Sequence, residues 1–164
     1  MSYVELHCHS NYSFQEGASS IDEMVSKAVE LGYPALALTD HDNLCGAMHF
    51  AQVARSLDIQ PITGAEVTLQ GGGHLTLLAS DSAGYASLCG LVSRSYIEAD
   101  RRDPALDPKH LPEQSQGLVL LTGCRKGPVP SLAAQGRMEE AESALRDYAE
   151  WLGPDSVFVE LQQN

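Results

Sequence analysis

The chain has 164 residues, 43% of them hydrophobic, with 22 acidic against 10 basic side chains and a formal net charge of −12. That length builds one domain with a real core, and the acid excess excludes a basic DNA-binding patch, although bound cations would still attract a phosphate. No apolar run approaches the ~18 residues of a membrane span, and Glu5, His7 and His9 interrupt any leader-like N-terminus, so a cytoplasmic location is expected. Cys8, Cys45, Cys89 and Cys124 form no C-x-x-C pair and are expected to be reduced.

In chain order, Tyr3–His7 reads as a short strand and His9–Ser19 as a polar loop. Ser20 and Glu23 form a capping-box signature. The helix after it carries Met24, Val25, Ala28, Val29 and Leu31 at helical spacing and stops at Gly32. Ala35–Thr39 is a continuous apolar run, as in a strand buried on both faces. A helix over Gly46–Leu57, a strand over Ile59–Leu69, a glycine turn at 71–73 and a strand over His74–Ala79 follow. Next come a helix over Ala83–Ile97, a polar proline-bearing stretch over Glu98–Gln116, and a strand over Leu118–Thr122. The last elements are an acidic-faced helix over Arg137–Leu152 and a strand over Val157–Leu161. Repeated βα units with buried strands predict an α/β parallel sheet or barrel.

His7-Cys8-His9 closes the first strand. Residues two apart on an extended chain share a side, so both imidazoles can reach one metal while Cys8 points away. Asp40, His41, Glu66 and Cys124 also fall at the C-terminal ends of predicted strands, where βα barrels gather functional groups. His74 opens its strand instead, or sits in a loop leading into a turn. Imidazoles and carboxylates suit zinc, manganese or iron. A carboxylate such as Glu66 can bridge two cations, which together clamp a phosphate and activate water. No G-x-S-x-G elbow or phosphate-binding glycine loop is present.

Taken together, His7-Cys8-His9-Ser10-x-Tyr12-Ser13, Glu16-Gly17-Ala18, Leu38-Thr39-Asp40-His41-Asp42 and Gly64-Ala65-Glu66 resemble the PHP (polymerase and histidinol phosphatase) superfamily. The likeness extends through His74–Ala79, Thr122–Gly127 and Phe158–Leu161, and its wording is closest to the N-terminal PHP domain of bacterial C-family DNA polymerases, replicative or error-prone. The resemblance implies a distorted (β/α)7 TIM-like barrel with a trinuclear metal cleft. In that scheme His7 and His9 hold one metal, Glu66 bridges it to a second completed by His74 and Cys124, and Glu16 and His41 bind a third. Polymerase relatives more often carry Asp at the Glu16 position. The family also supplies a final Asp-x-His, and none follows Cys124; Asp147, Asp155 and Glu160 have no histidine two residues on. The chain is therefore expected to be the N-terminal part of a PHP domain, final strands missing, with an open barrel edge that favours a homodimer.

The function implied is a metal-dependent phosphoesterase using His7, His9 and Glu66 through activated water. The substrate would be a DNA 3′ end or pyrophosphate within the parent polymerase. The alternatives are a non-catalytic, metal-stabilised module of the polymerase and a free-standing histidinol-phosphatase-like enzyme. Polymerisation would belong to another domain. Asp40 either caps its turn or supports the ligands from behind, and Arg125 with Lys126 either holds a phosphate at the rim or is surface charge. Asp42 reads as a turn residue, His49 as a helix-face residue, and His110 as a solvated loop residue. Cys8, Cys45 and Cys89 read as packed thiols, and Arg101-Arg102 as solvated loop charge.

Overall fold

The structure, a computed structural model, describes residues 3–162. Ser20 caps helix α1 (Ile21–Glu30) as its sequence requires: its backbone N–H donates to Glu23 Oε2 at 2.8 Å, and its hydroxyl accepts from the Glu23 amide at 3.3 Å. Then follow β1 (Ala35–Leu38), α2 (Ala47–Ser56), β2 (Gln60–Thr68), β3 (His74–Ala79), α3 (Ser82–Glu98), β4 (Leu118–Leu121), α4 (Pro128–Ala134), α5 (Met138–Leu152) and β5 (Val157–Phe158). The five strands form one sheet in sequence order.

The sheet is mixed, which corrects the parallel expectation. β1 and β2 are parallel, as are β4 and β5, but β3 runs antiparallel to both of its neighbours. The cause lies in the connection between Thr68 and His74. A parallel crossover needs a dozen or more residues, and this link is a short turn through Gly71, Gly72 and Gly73, all at positive φ. The reversal brings the start of β3 to the rim that carries the ends of β1, β2 and β4. His74, the exception in the sequence pattern, thereby joins the other candidates.

Tyr3–His7 is strand-like only in one parallel bridge, Glu5 to Leu36, where Glu5 O accepts from the Ala37 amide at 2.9 Å. The His7 amide turns to its neighbour Glu5 Oε1 at 3.2 Å, which ends regular pairing. At the far edge β5 stops at Phe158, because the Glu160 amide donates to the Thr122 hydroxyl at 3.0 Å and not to a ladder carbonyl. Helix α4 was not foreseen. Pro128 opens it, and a proline at the first helical turn loses no hydrogen bond.

Alternation sorts the strand residues into two layers. Leu36 and Leu38 pack with Ile21, Val25 and Phe50 under α1 and α2. Val67, Leu75, Leu77 and Leu120 pack with Leu88, Leu91 and Tyr148 of α3 and α5. The opposite faces, with Ala37, Leu78 and Leu121 beside Leu6, Ile62 and Val119, line the concave side of a curled sheet. On that side β2 continues as Gly64, Glu66 and Thr68, opposite Leu78, Thr76 and His74. His110, expected in solvent, is buried; its Nε2 meets Glu98 Oε2 at 2.7 Å and anchors the 98–116 stretch to α3. His49 lies on the open face of α2, 3.4 Å from Asp22 of α1. Cys8 is packed, but Cys45 is exposed, contrary to its reading as a packed thiol.

Gly64 leaves no room for a methyl group: a Cβ there would lie 2.6 Å from Leu77 O and 2.9 Å from Thr39 Cγ2. Replacing Gly64 by Ala should therefore destabilise the fold by about 1–3 kcal/mol. A thermal or urea midpoint unchanged in G64A would contradict this packing.

Candidate metal centre

One carboxylate organises the rim. Glu66 is 3% exposed and lies near four imidazoles: its Oε1 is 3.5 Å from His7 Nε2 and 3.3 Å from His74 Nδ1, and its Oε2 is 3.3 Å from His9 Nε2 and 3.7 Å from His41 Nδ1. Two groups of candidate ligands share it, His7–His9–Glu66 and His41–Glu66–His74. His41 thus stands with Glu66 and His74 as well as with Glu16, a different grouping from the one implied by resemblance. Cys124 Sγ lies 3.7 Å from Glu66 Oε1, on the same side as His74.

Each histidine is fixed by its own surroundings. His7 Nδ1 meets Glu160 Oε1 at 2.8 Å and the Thr76 hydroxyl at 3.2 Å. His41 Nε2 meets the Thr68 hydroxyl at 2.8 Å and Asp42 Oδ2 at 3.1 Å, while its Nδ1 meets Glu16 Oε2 at 2.6 Å. Asp42 also accepts from the Thr68 amide and hydroxyl, at 2.8 and 2.7 Å, so it pins the end of β2 beside His41. Asp40 does not face the cluster. Buried at 2% exposure, it accepts from the Ser10 amide (2.7 Å), the Ser10 hydroxyl (2.8 Å) and the Ser13 hydroxyl (2.6 Å), and so shapes the loop that presents His9 and Glu16. Gly17 closes that loop so tightly that a Cβ would meet Ser10 O at 1.9 Å.

The sequence reading passed over Thr68 and Thr76, gave Asp42 only a turn, and set Glu160 aside for want of a histidine two residues on. Thr68 and Thr76 were recoverable from the period-2 pattern around Glu66 once β2 and β3 are seen as a hairpin. Glu160 lies in the Phe158–Leu161 stretch that carries part of the resemblance, but its partner His7 is met only across the closing sheet. Asp147 and Asp155 lie on α5 and the turn after it, away from the rim. Arg125 is exposed and does not line the cleft, whereas Lys126 does, with Nζ 3.5 Å from Glu16 Oε1.

The electrostatics follow from this packing. Burial opposes charge on Glu66, but His7 and His74 outweigh it and hold the carboxyl far below its usual range. Burial likewise opposes charge on His7, yet Glu160 and Glu66 raise it to about 9. Asp42, against burial and with help from Glu16, raises His41 to about 9. His9 is pushed down by burial, and Cys124 up, first by burial and then by Glu66. Two buried imidazole nitrogens, His9 Nε2 and His74 Nδ1, have no hydrogen-bond partner although both point at Glu66. Unpartnered imidazole nitrogens gathered around a buried carboxylate are a donor set that suits a shared cation, so these residues fit a metal.

The chain belongs to the PHP domain family, whose model matches residues 5–164. Over 98% of its length it is 44% identical to the error-prone DNA polymerase of Symbiobacterium thermophilum, of which it covers 16%. It is 39% identical over its whole length to the DNA polymerase III subunit alpha of Treponema pallidum, of which it covers 15%. The chain thus spans about a sixth of these relatives. Among solved structures, a two-domain protein from Bacteroides vulgatus, described as containing a PHP-like metal-dependent phosphoesterase, superposes with a TM-score of 0.51 at 20% identity. That match covers 88% of this chain and 48% of the other, and supports the partial TIM-like barrel seen here. No helix among the described residues is long and apolar enough to cross a membrane.

Two outcomes follow for the metal-free protein. Imidazoles raised above their ordinary value of 6.5 stabilise the fold fully below that pH and lose this contribution as pH passes about 9. The thermal midpoint of chelator-treated protein should therefore fall between pH 6.5 and 9.5, and a flat or rising profile would contradict the assignment. Asp40→Ala strands three donors in a buried site and should cost roughly 2–4 kcal/mol; an unchanged urea midpoint would show that Asp40 does not hold the loop.

Proposed function

We propose that this PHP domain is a metal-dependent phosphoesterase module of a C-family DNA polymerase. Its cations would be held by His7, His9 and Glu66 on one side and by Glu66, His74 and His41 on the other, with Cys124 beside the second. Glu16 stands next to both histidine groups as a further ligand. The observation that carries this reading is the pair of unpartnered imidazole nitrogens, His9 Nε2 and His74 Nδ1, facing one ionised carboxylate at the rim of a cleft. The polymerase context is supported by close sequence similarity along the chain to two kinds of DNA polymerase.

Divalent cations bound there, zinc, manganese or iron by the donor set, would supply Lewis acidity toward a phosphoester and an activated water. The protein's part is to present the ligands in the correct state. Glu160 accepts a hydrogen bond from His7 Nδ1 and leaves Nε2 directed at Glu66; Asp42 and Thr68 hold Nε2 of His41, whose Nδ1 meets Glu16 at 2.6 Å and lies 3.7 Å from Glu66. His9 stays neutral because burial lowers it, which keeps its lone pair available. Glu66 stays ionised, with Oε1 beside His7 and His74 and Oε2 beside His9 and His41, so each oxygen faces one histidine of each group. The cleft opens into a cavity of about 770 Å³, large enough for a phosphoester with an organic group attached.

A second reading, a metal-stabilised structural module, is favoured by one contact. His7 and Glu160 bridge the two ends of the curled sheet, so a cation on His7 would also brace the fold. Turnover separates the two. Chelated protein reloaded with zinc or manganese should hydrolyse a generic phosphodiester, and Glu66→Gln should lower that rate by roughly 10²-fold or more while depleting bound metal. Metal-loaded, folded protein without hydrolysis of either a diester or a monoester would favour the structural reading, and faster monoester hydrolysis would favour a small-molecule phosphatase.

A further inference from the structure

The cleft holds several carboxylates, among them Glu5, Glu16 and Glu23, which would repel an incoming phosphate. Apart from histidines, the cationic side chains lining it are Lys27 and Lys126. Lys27 stands on α1 and is paired with Glu30 at 2.5 Å. Lys126 lies at the opposite, metal-bearing end. Its ammonium reaches Glu16, whose other oxygen touches His41 at 2.6 Å and lies 3.6 Å from His9. One side chain therefore separates the ammonium from both ligand groups.

The backbone beside Lys126 is closely packed. The Gly127 amide donates to Cys124 O at 2.7 Å, and a Cβ on Gly127 would lie 2.1 Å from Thr122 O. Gly73 packs so closely that its Cβ would stand 2.9 Å from the Lys126 carbonyl. Lys126 thus carries a flexible four-carbon stem on a closely packed turn. The ion pair with Glu16, at 3.5 Å and with the lysine side chain 56% exposed, is of the weak surface kind, so exchanging it for another anion costs little. Arg125, its neighbour with the same charge, stands outside the cleft.

We propose that Lys126 binds a non-bridging phosphate oxygen of the substrate, moving from Glu16 to the phosphate as the substrate enters. This rests on the phosphoesterase reading above and adds its phosphate-binding residue. The test is calorimetric titration of inorganic phosphate into the metal-loaded chain, with metal content measured on the same samples. Lys126→Met should weaken phosphate binding roughly tenfold or more, Lys126→Arg should keep it within about threefold, and Arg125→Met, which removes the same charge outside the cleft, should change it less than about twofold. With a phosphodiester substrate, K126M should raise KM more than it lowers kcat. Equal weakening in K126M and R125M would reduce the effect to bulk charge and overturn the assignment. Wild-type affinity in K126M, or loss of metal from it, would overturn it as well while leaving the phosphoesterase reading intact. Metal-loaded wild type that binds no phosphate would overturn both.

Discussion

The architecture of the rim depends on keeping one negative charge out of water. Glu66 sits at 3% exposure, where an ionised carboxylate is costly unless matched. Four imidazoles surround it, with His7 and His74 supplying most of the match, and they come from three separate stretches: the segment before the sheet, the turn after β1 and the start of β3. Two of these imidazoles carry a carboxylate of their own behind them, Glu160 for His7 and Asp42 for His41. The result is a layered charge arrangement in which every element of the curled sheet contributes to one place.

Such an arrangement requires close backbone approach and exact aiming of side chains. The hairpin between β2 and β3 supplies the aiming, since directly opposed and diagonal residues on one face lie within reach of each other. Glu66 faces Thr76, and Thr68 faces His74. Close approach is supplied at Gly64, Gly17 and Gly127, each pressed against neighbouring backbone. Asp40 does its part at a distance, by fixing the loop on which His9 and Glu16 ride.

Much of this was legible in the residues. His7 and His9 two apart, Glu66 late in an apolar strand, and Asp40-His41 after another place most candidate ligands on one rim by sequence alone. The direction of β3 was less legible, because alternation looks the same in both directions; only the shortness of the glycine turn carried that information. Contacts that depend on closure were invisible. Glu160 and His7 are far apart in sequence, and nothing local pairs them. His110 was misread for a related reason: flanking prolines describe its backbone, but burial against Glu98 and Arg94 is a tertiary fact. The arginine-lysine pair at 125–126 looked interchangeable in sequence, and the fold of their turn sends only Lys126 into the cleft.

The central claim is that Glu66 is shared by two cation sites. Anomalous scattering from crystals of the metal-loaded chain tests it most directly. The account predicts two peaks, one on each side of the Glu66 carboxylate, the first against His7 and His9 and the second against His41 and His74. A single peak, or peaks that leave Glu66 uncoordinated, would contradict it.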